Sequence, residues 1–181
     1  MSQIKLLHSG GNGVILAAPA SNPASDRTLT LPGDADGTIL TSNSSTGKIL
    51  QVQHTNNSTQ AQYTSTSFVV TNLTVNITPT SASSKIYITS HMSFYKNNSS
   101  AYAIPTIYRD STNLGNASYG FGEFSNLGSG GGVFASPQYV DSPNTTSQVT
   151  YAIYIKVNSG NNVYICSNNT AANITVMEIA A

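Results

Sequence analysis

Apolar and polar side chains alternate with a period of two along most of this chain, and a helical period near 3.6 is nearly absent. In Lys85 to Tyr95, Ile86, Ile88, Met92 and Phe94 share one face, while Tyr87, Thr89, His91, Ser93 and Tyr95 share the other. The run Ser147 to Val157 repeats this, with Val149, Tyr151, Ile153, Ile155 and Val157 opposite Thr150, Tyr154 and Lys156. Two such half-buried strands can cover opposing sheets of one core. Further strands are expected over 13–17, 28–31, 38–41, 48–54, 61–65, 67–77, 101–109, 133–140, 162–166 and 173–179, with Asn, Ser, Gly and Pro clusters between them. Many short strands at this spacing predict an all-β fold, an antiparallel sandwich or barrel, and an antiparallel β-sandwich of jelly-roll-like type is the form expected.

Two runs break phase. Phe68 and Val70 are out of step with Leu73, Val75 and Ile77, which predicts a bulge or corner near Thr71-Asn72, even a strand that switches sheets. In the last run Ile174 and Val176 are followed by Met177 and Ile179. That implies burial on both faces, in a central strand or in one whose second face meets another subunit.

The Ser-Asn-Ser-Ser-Thr-Gly stretch, Ser42 to Gly47, reads as a linker and divides residues 1–47 from a sandwich domain, 48–181. Before it, Thr28 to Ser42 alternates Leu29 and Leu31 with threonines, and Pro32-Gly33 and Asp36-Gly37 supply turns. The first 47 residues hold too few large apolar side chains to offset the entropy of ordering their backbone alone. Identical copies arranged about an axis are the economical source of the missing contacts.

Composition narrows the function. Charged residues make up 8% of the 181 and the formal net charge is zero, so the broad positive field that nucleic acid requires is missing. Ser, Thr and Asn supply about a third of the chain, a neutral hydroxyl- and amide-rich surface. There is no apolar stretch of membrane-spanning length and no signal-peptide core, so neither membrane insertion nor export is expected. The single cysteine, Cys166, reads as a small buried residue.

Catalysis is not expected. The seven carboxylates fall mostly in turns with no legible pairing, and His8, His54 and His91 lack triad or metal-ligand spacing. Asp34-Ala-Asp36-Gly37 starts like a calcium loop without the distal Glu, and the glycine run after Gly128 lacks the Lys and Ser/Thr of a phosphate loop. No metal and no cofactor are expected. Contact chemistry is better served by the segment 95–139, where rings lie among Asn, Ser and Gly. Tyr95, Tyr102, Tyr119, Phe121, Phe124 and Tyr139 are the candidates, able to stack on sugar rings or protein surfaces beside hydrogen-bonding groups.

Gly10 to Ser42, with Gly-Val-Ile-Leu-Ala-Ala-Pro, Arg27-Thr-Leu-Thr-Leu-Pro and Asp36-Gly-Thr-Ile-Leu-Thr-Ser, resembles the shaft modules of tailed-bacteriophage fibre proteins. Ser84-Lys-Ile-Tyr-Ile-Thr-Ser, Tyr108-Arg-Asp-Ser-Thr-Asn-Leu-Gly, Asp141-Ser-Pro-Asn-Thr-Thr-Ser-Gln-Val-Thr-Tyr and Ile174-Thr-Val-Met-Glu-Ile-Ala-Ala are similar to the C-terminal domain of such fibres. The resemblance implies a homotrimeric virion fibre made in the host cytoplasm. A trimer-dependent extended β segment would dock on other virion proteins, with Val14, Leu16, Leu29, Leu31 and Ile39 as docking or trimer residues. A β-sandwich tip would meet a host-surface glycan or protein. The alternative is a capsid decoration or head fibre with a mainly structural role.

Overall fold

A computed structural model describes residues 3–7, 9–11, 13–17, 47–96, 100–124, 132–158 and 161–181. The chain divides into two compact units, Met1–Ser42 and Asn43–Ala181. In the first, β1 (Gln3–Leu7) and β2 (Gly13–Ala17) form an antiparallel hairpin, with Val14 paired to Leu6 and Leu16 to Ile4. The sequence pattern missed β1. Leu29, Leu31 and Ile39, and the strands expected over 28–31 and 38–41, lie outside the described residues.

The second unit contains β3 (Ile49–Asn57), β4 (Ala61–Tyr63), β5 (Val69–Ile77), β6 (Lys85–Lys96), β7 (Ala103–Arg109), β8 (Thr112–Asn113), β9 (Gly132–Ala135), β10 (Gln138–Asp141), β11 (Val149–Val157), β12 (Val163–Ile165) and β13 (Ala172–Ile179). These form two antiparallel sheets. In the larger, β6 is central: β13 and then β12 line one edge, β10 and then β9 the other. β3 and β4 pair outside β13 and β12. Its seven strands are thus four chain crossings, three of them interrupted. The β9–β10 break falls at Ser136-Pro137, where proline has no N–H to give the ladder. The other sheet runs β5-β11-β7-β8.

Taken as crossings, successive passes alternate between sheets as far as the β7–β8 hairpin and again after it, giving spatial orders 1-8-3-6 and 2-7-4-5. That is the connectivity of a jelly roll. The all-β antiparallel sandwich anticipated from the alternation is the observed fold. Its core comes from the alternating residues named above: Ile86, Ile88, Met92 and Phe94 of β6 face Tyr151, Ile153, Ile155 and Val157 of β11, all buried.

Both phase breaks have local causes. In β5, Val70 pairs Tyr154 and Thr74 pairs Ala152, so two extra residues bulge against Ile153. The Thr71 hydroxyl donates to the Ile153 carbonyl at 2.8 Å and accepts from Leu73 N–H at 3.2 Å, replacing lost ladder bonds. β5 stays in one sheet and does not switch. In β13 the inward parity is unbroken, because Glu178, not an apolar residue, takes the inner position between half-buried Met177 and Ile179. β13 is a central strand, flanked by β3 and β6.

Candidate functional site

Strand direction gives the sandwich two distinct ends. The chain enters at Gly47 beside Ile49, which pairs Ile179, which pairs Lys85; Ala180 N–H donates to the Lys48 carbonyl at 2.9 Å. This near end also holds Ile77, Arg109, Asp141 and Val149. Lys96, Ala103, Val157, Val163 and the turn after Ile165 form the far end. At about 3.3 Å per residue, β6, from Lys85 to Lys96, separates the two by about 36 Å.

Two grooves lie in the half of the sandwich nearer the far end. The first, of about 180 Å³, lies on the outer surface of the larger sheet between Ser93 and Tyr95 of β6, Phe134 of β9, and Ser167, Asn168 and Thr170. Phe134 is 67% exposed and stacks on His91 with ring centres 5.4 Å apart. Tyr95 leans on Tyr164 at 6.1 Å. The Ser93 and Thr170 hydroxyls share a 2.6 Å hydrogen bond, and Asn168 N–H donates to Gln60 Oε1 at 3.2 Å. An exposed ring beside hydroxyls and an amide can stack on the apolar face of a sugar while hydrogen-bonding its hydroxyls.

The loop that forms this groove is strained. Cys166, Asn168 and Asn169 adopt left-handed backbone angles, with φ of 56°, 55° and 57°. Non-glycine residues in that region cost free energy, and such strain concentrates at binding sites. Cys166 is wholly buried and its Sγ donates to the Asn57 carbonyl at 3.4 Å; burial pushes the thiol pKa up.

The second groove, of about 280 Å³, is lined by Thr66, Ile104, Ser118, Tyr119, Lys156 and Asn158. Tyr119 is 60% exposed, and the Lys156 ammonium sits 4.9 Å above the Phe68 ring. Tyr119 is held by a tight loop: Gly120 (φ 49°) and Asn116 exchange backbone hydrogen bonds, and Phe121 N–H donates to the Pro105 carbonyl. A Cβ on Gly120 would fall 2.3 Å from that carbonyl oxygen, so the backbone approach requires glycine.

The six rings named from the sequence therefore do not converge. Tyr95 lines the first groove and Tyr119 the second. Tyr102 is half-buried near the far end, its N–H donating to Asn158 Oδ1 at 2.7 Å. Phe121 and Phe124 pack against the core, Phe121 edge-on to Tyr139 at 5.7 Å and Phe124 on Phe94 at 5.8 Å. Sequence reading missed Phe134, although its alternation with inward Val133 and Ala135 places it outside. Ser93, Asn168 and Thr170 carried no local signal, since only strand pairing joins them. Among the described residues no three His, Cys, Asp or Glu side chains converge to hold a metal.

No protein-family model matches the chain, and no curated protein matches it. Among solved structures the chain is similar to one from infectious bursal disease virus, described as "Structure of infectious bursal disease virus Gx strain". The TM-score is 0.41 and the identity 14%, over 84% of this chain and 37% of the viral one, so the chain spans little more than a third of that neighbour. A superposition that loose carries no inference about role.

Proposed function

We propose that the chain is a virion fibre protein: a homotrimer that mounts on the particle through residues 1–47 and presents a jelly-roll tip to a glycan on the host surface. Polarity is the observation that carries this reading. The chain enters the sandwich at Ile49, while the ring-and-hydroxyl groove of Phe134, Tyr95 and Thr170 lies on the outer face of the larger sheet in the half away from that entry, the half that a mounted tip would carry toward a surface. The shaft-like motifs of Gly10 to Ser42 support the mount, and the zero formal net charge suits a neutral polymer better than nucleic acid. Three weak sites on one stem would bind a repetitive polysaccharide far more tightly than one. The role is binding, not catalysis; it needs no cofactor, and the protein is made in the host cytoplasm and resides in the particle.

The test is binding of the purified full-length protein to an array of bacterial surface polysaccharides. Phe134→Ala and Tyr95→Ala are expected to lower retention at least about tenfold while the circular dichroism spectrum stays that of the wild type, since Phe134 is exposed, Tyr95 is half-buried, and neither ring belongs to the buried core. Retention unchanged by both variants would refute the groove. If the wild type ignores every polysaccharide yet binds isolated capsids, the capsid-decoration role replaces host recognition.

A further inference from the structure

Near the mount, the outer face of the larger sheet carries apolar side chains where a solvated sheet would carry polar ones. Strand register lines up Val52, Met177, Tyr87 and Val140 in one row across all four crossings. Ile49 and Ile179 stand beside it in the next row. Val52 and Val140 are each 50% exposed and Ile49 54%. Beyond the row the face turns polar, through His54, Thr175, Thr89 and Gln138, before the Phe134 groove. An apolar band confined to one end of a sheet marks a surface that another molecule covers.

We infer that this band is the surface through which copies of the chain join, an inference that rests on the homotrimer proposed above. Three observations select a second copy as the occupant. The band is uncharged apart from Lys85, whose ammonium donates to the Ser142 hydroxyl at 3.1 Å, and both carboxylates of the strands that carry it, Asp141 and Glu178, are buried. With a single charge among its apolar rows, it fits a largely neutral partner better than a strongly charged one. The formal net charge of zero sets no repulsion against close approach of identical chains. Finally, the band begins at Ile49, two residues after Gly47, so copies joined there would gather their residues 1–47 side by side and let that apolar-poor segment share contacts it is too poor in to supply alone.

The experiment is sedimentation of the full-length protein over nanomolar to micromolar concentration, with Val52→Asp, Val140→Asp and, as control, Val70→Asp. Val70 is equally exposed, at 51%, but belongs to the other sheet. The inference expects the first two variants to raise the dissociation constant about a hundredfold or more and the control to leave it unchanged. Thiol labelling of Val52→Cys removes dependence on a tolerated charge, because native Cys166 is buried and silent. Labelling of Val52→Cys should slow at least about tenfold as the protein assembles, while Val70→Cys should not slow. A wild-type trimer that both Asp variants leave intact, with Val52→Cys freely labelled, overturns this surface and spares the trimer. A wild-type monomer at every concentration overturns both, and a monomer with Val52→Cys protected places residues 1–47 of the same chain on the band.

Discussion

Glu178→Gln tests whether the buried carboxylate, which the strand pattern does not disclose, is an asset or a burden. Its Oε1 accepts from Thr80 N–H and from the Thr80 hydroxyl, both at 2.8 Å, and its Oε2 accepts from Gln51 Nε2 at 2.7 Å. Gln51 Nε2 also donates to the Thr78 carbonyl at 2.7 Å, so it cannot flip to suit a new amide without losing that bond. The variant keeps one acceptor for Thr80 and sets an NH2 against the Gln51 NH2. One charge-assisted hydrogen bond is lost and two are weakened, about 2–4 kcal/mol in all. That corresponds to a fall in Tm on the order of 10 °C. Burial alone would raise the Glu178 pKa, but the hydrogen bonds from Gln51 and Thr80 outweigh it and hold the group below the ordinary 4.5. A depressed folded pKa gives stability that is complete above the ordinary value and is lost as pH falls through the folded one. Calorimetry at pH 7 and pH 3 should therefore show a wide gap between wild type and variant that narrows in acid. A gap of equal size at both pH values would refute the role of the ionised group.

Asp141→Ala should cost about 3–5 kcal/mol in urea denaturation, because it strips the partner from Arg109, whose Nη1 lies 2.8 Å from Oδ2, and from the buried Tyr151 hydroxyl, which donates to Oδ2 at 2.7 Å; a loss below about 1 kcal/mol would contradict the pairing. Gly120→Ala should destabilise by about 1–3 kcal/mol from its positive φ alone, with more from the clash on Pro105, and should free the loop around Tyr119 to proteolysis. Residues 43–181 expressed alone should keep the β circular dichroism of the full chain, since they form one of the two compact units and contain the whole core; an unfolded fragment would show that the sandwich needs residues 1–42.

The sandwich was legible wherever one strand buries one face. The alternation in 85–95 and 147–157 names the inward residues of β6 and β11 correctly, because period two leaves no other way to hide those side chains. It failed where a polar group sits inside. Glu178 and Asp141 occupy inner positions on either side of Ile86, so apolar counting read the end of β13 as two-faced. The groove was legible only in part. Tyr95 and Phe134 sit on exposed faces that alternation can assign, but their meeting with Asn168 and Thr170 depends on β12 and β9 pairing opposite edges of β6. Nothing local in the sequence encodes that register.

The two ends of the sandwich differ in how their buried charged groups are satisfied, and the difference follows the proposed division of labour. At the near end Glu178 is met by Gln51 and Thr80, and Asp141 by Arg109 and Tyr151, so both buried carboxylates are hydrogen-bonded. Satisfied networks of this kind fix a unique arrangement and resist local opening. At the far end Lys96 turns inward, wholly buried, and its Nζ has no hydrogen-bond partner among the described residues. Three left-handed non-glycine residues follow Ile165 there. Both features raise the local free energy, so this end opens at lower cost than the core strands. A protein that only clamped a shell would gain nothing from an unpaired buried ammonium and a left-handed run beside its exposed ring. One whose far end adapts to a ligand gains a loop with stored strain that contacts across the groove can relieve, and hydrogen exchange slower at 166–170 in the presence of a bound polysaccharide than in its absence would measure that relief.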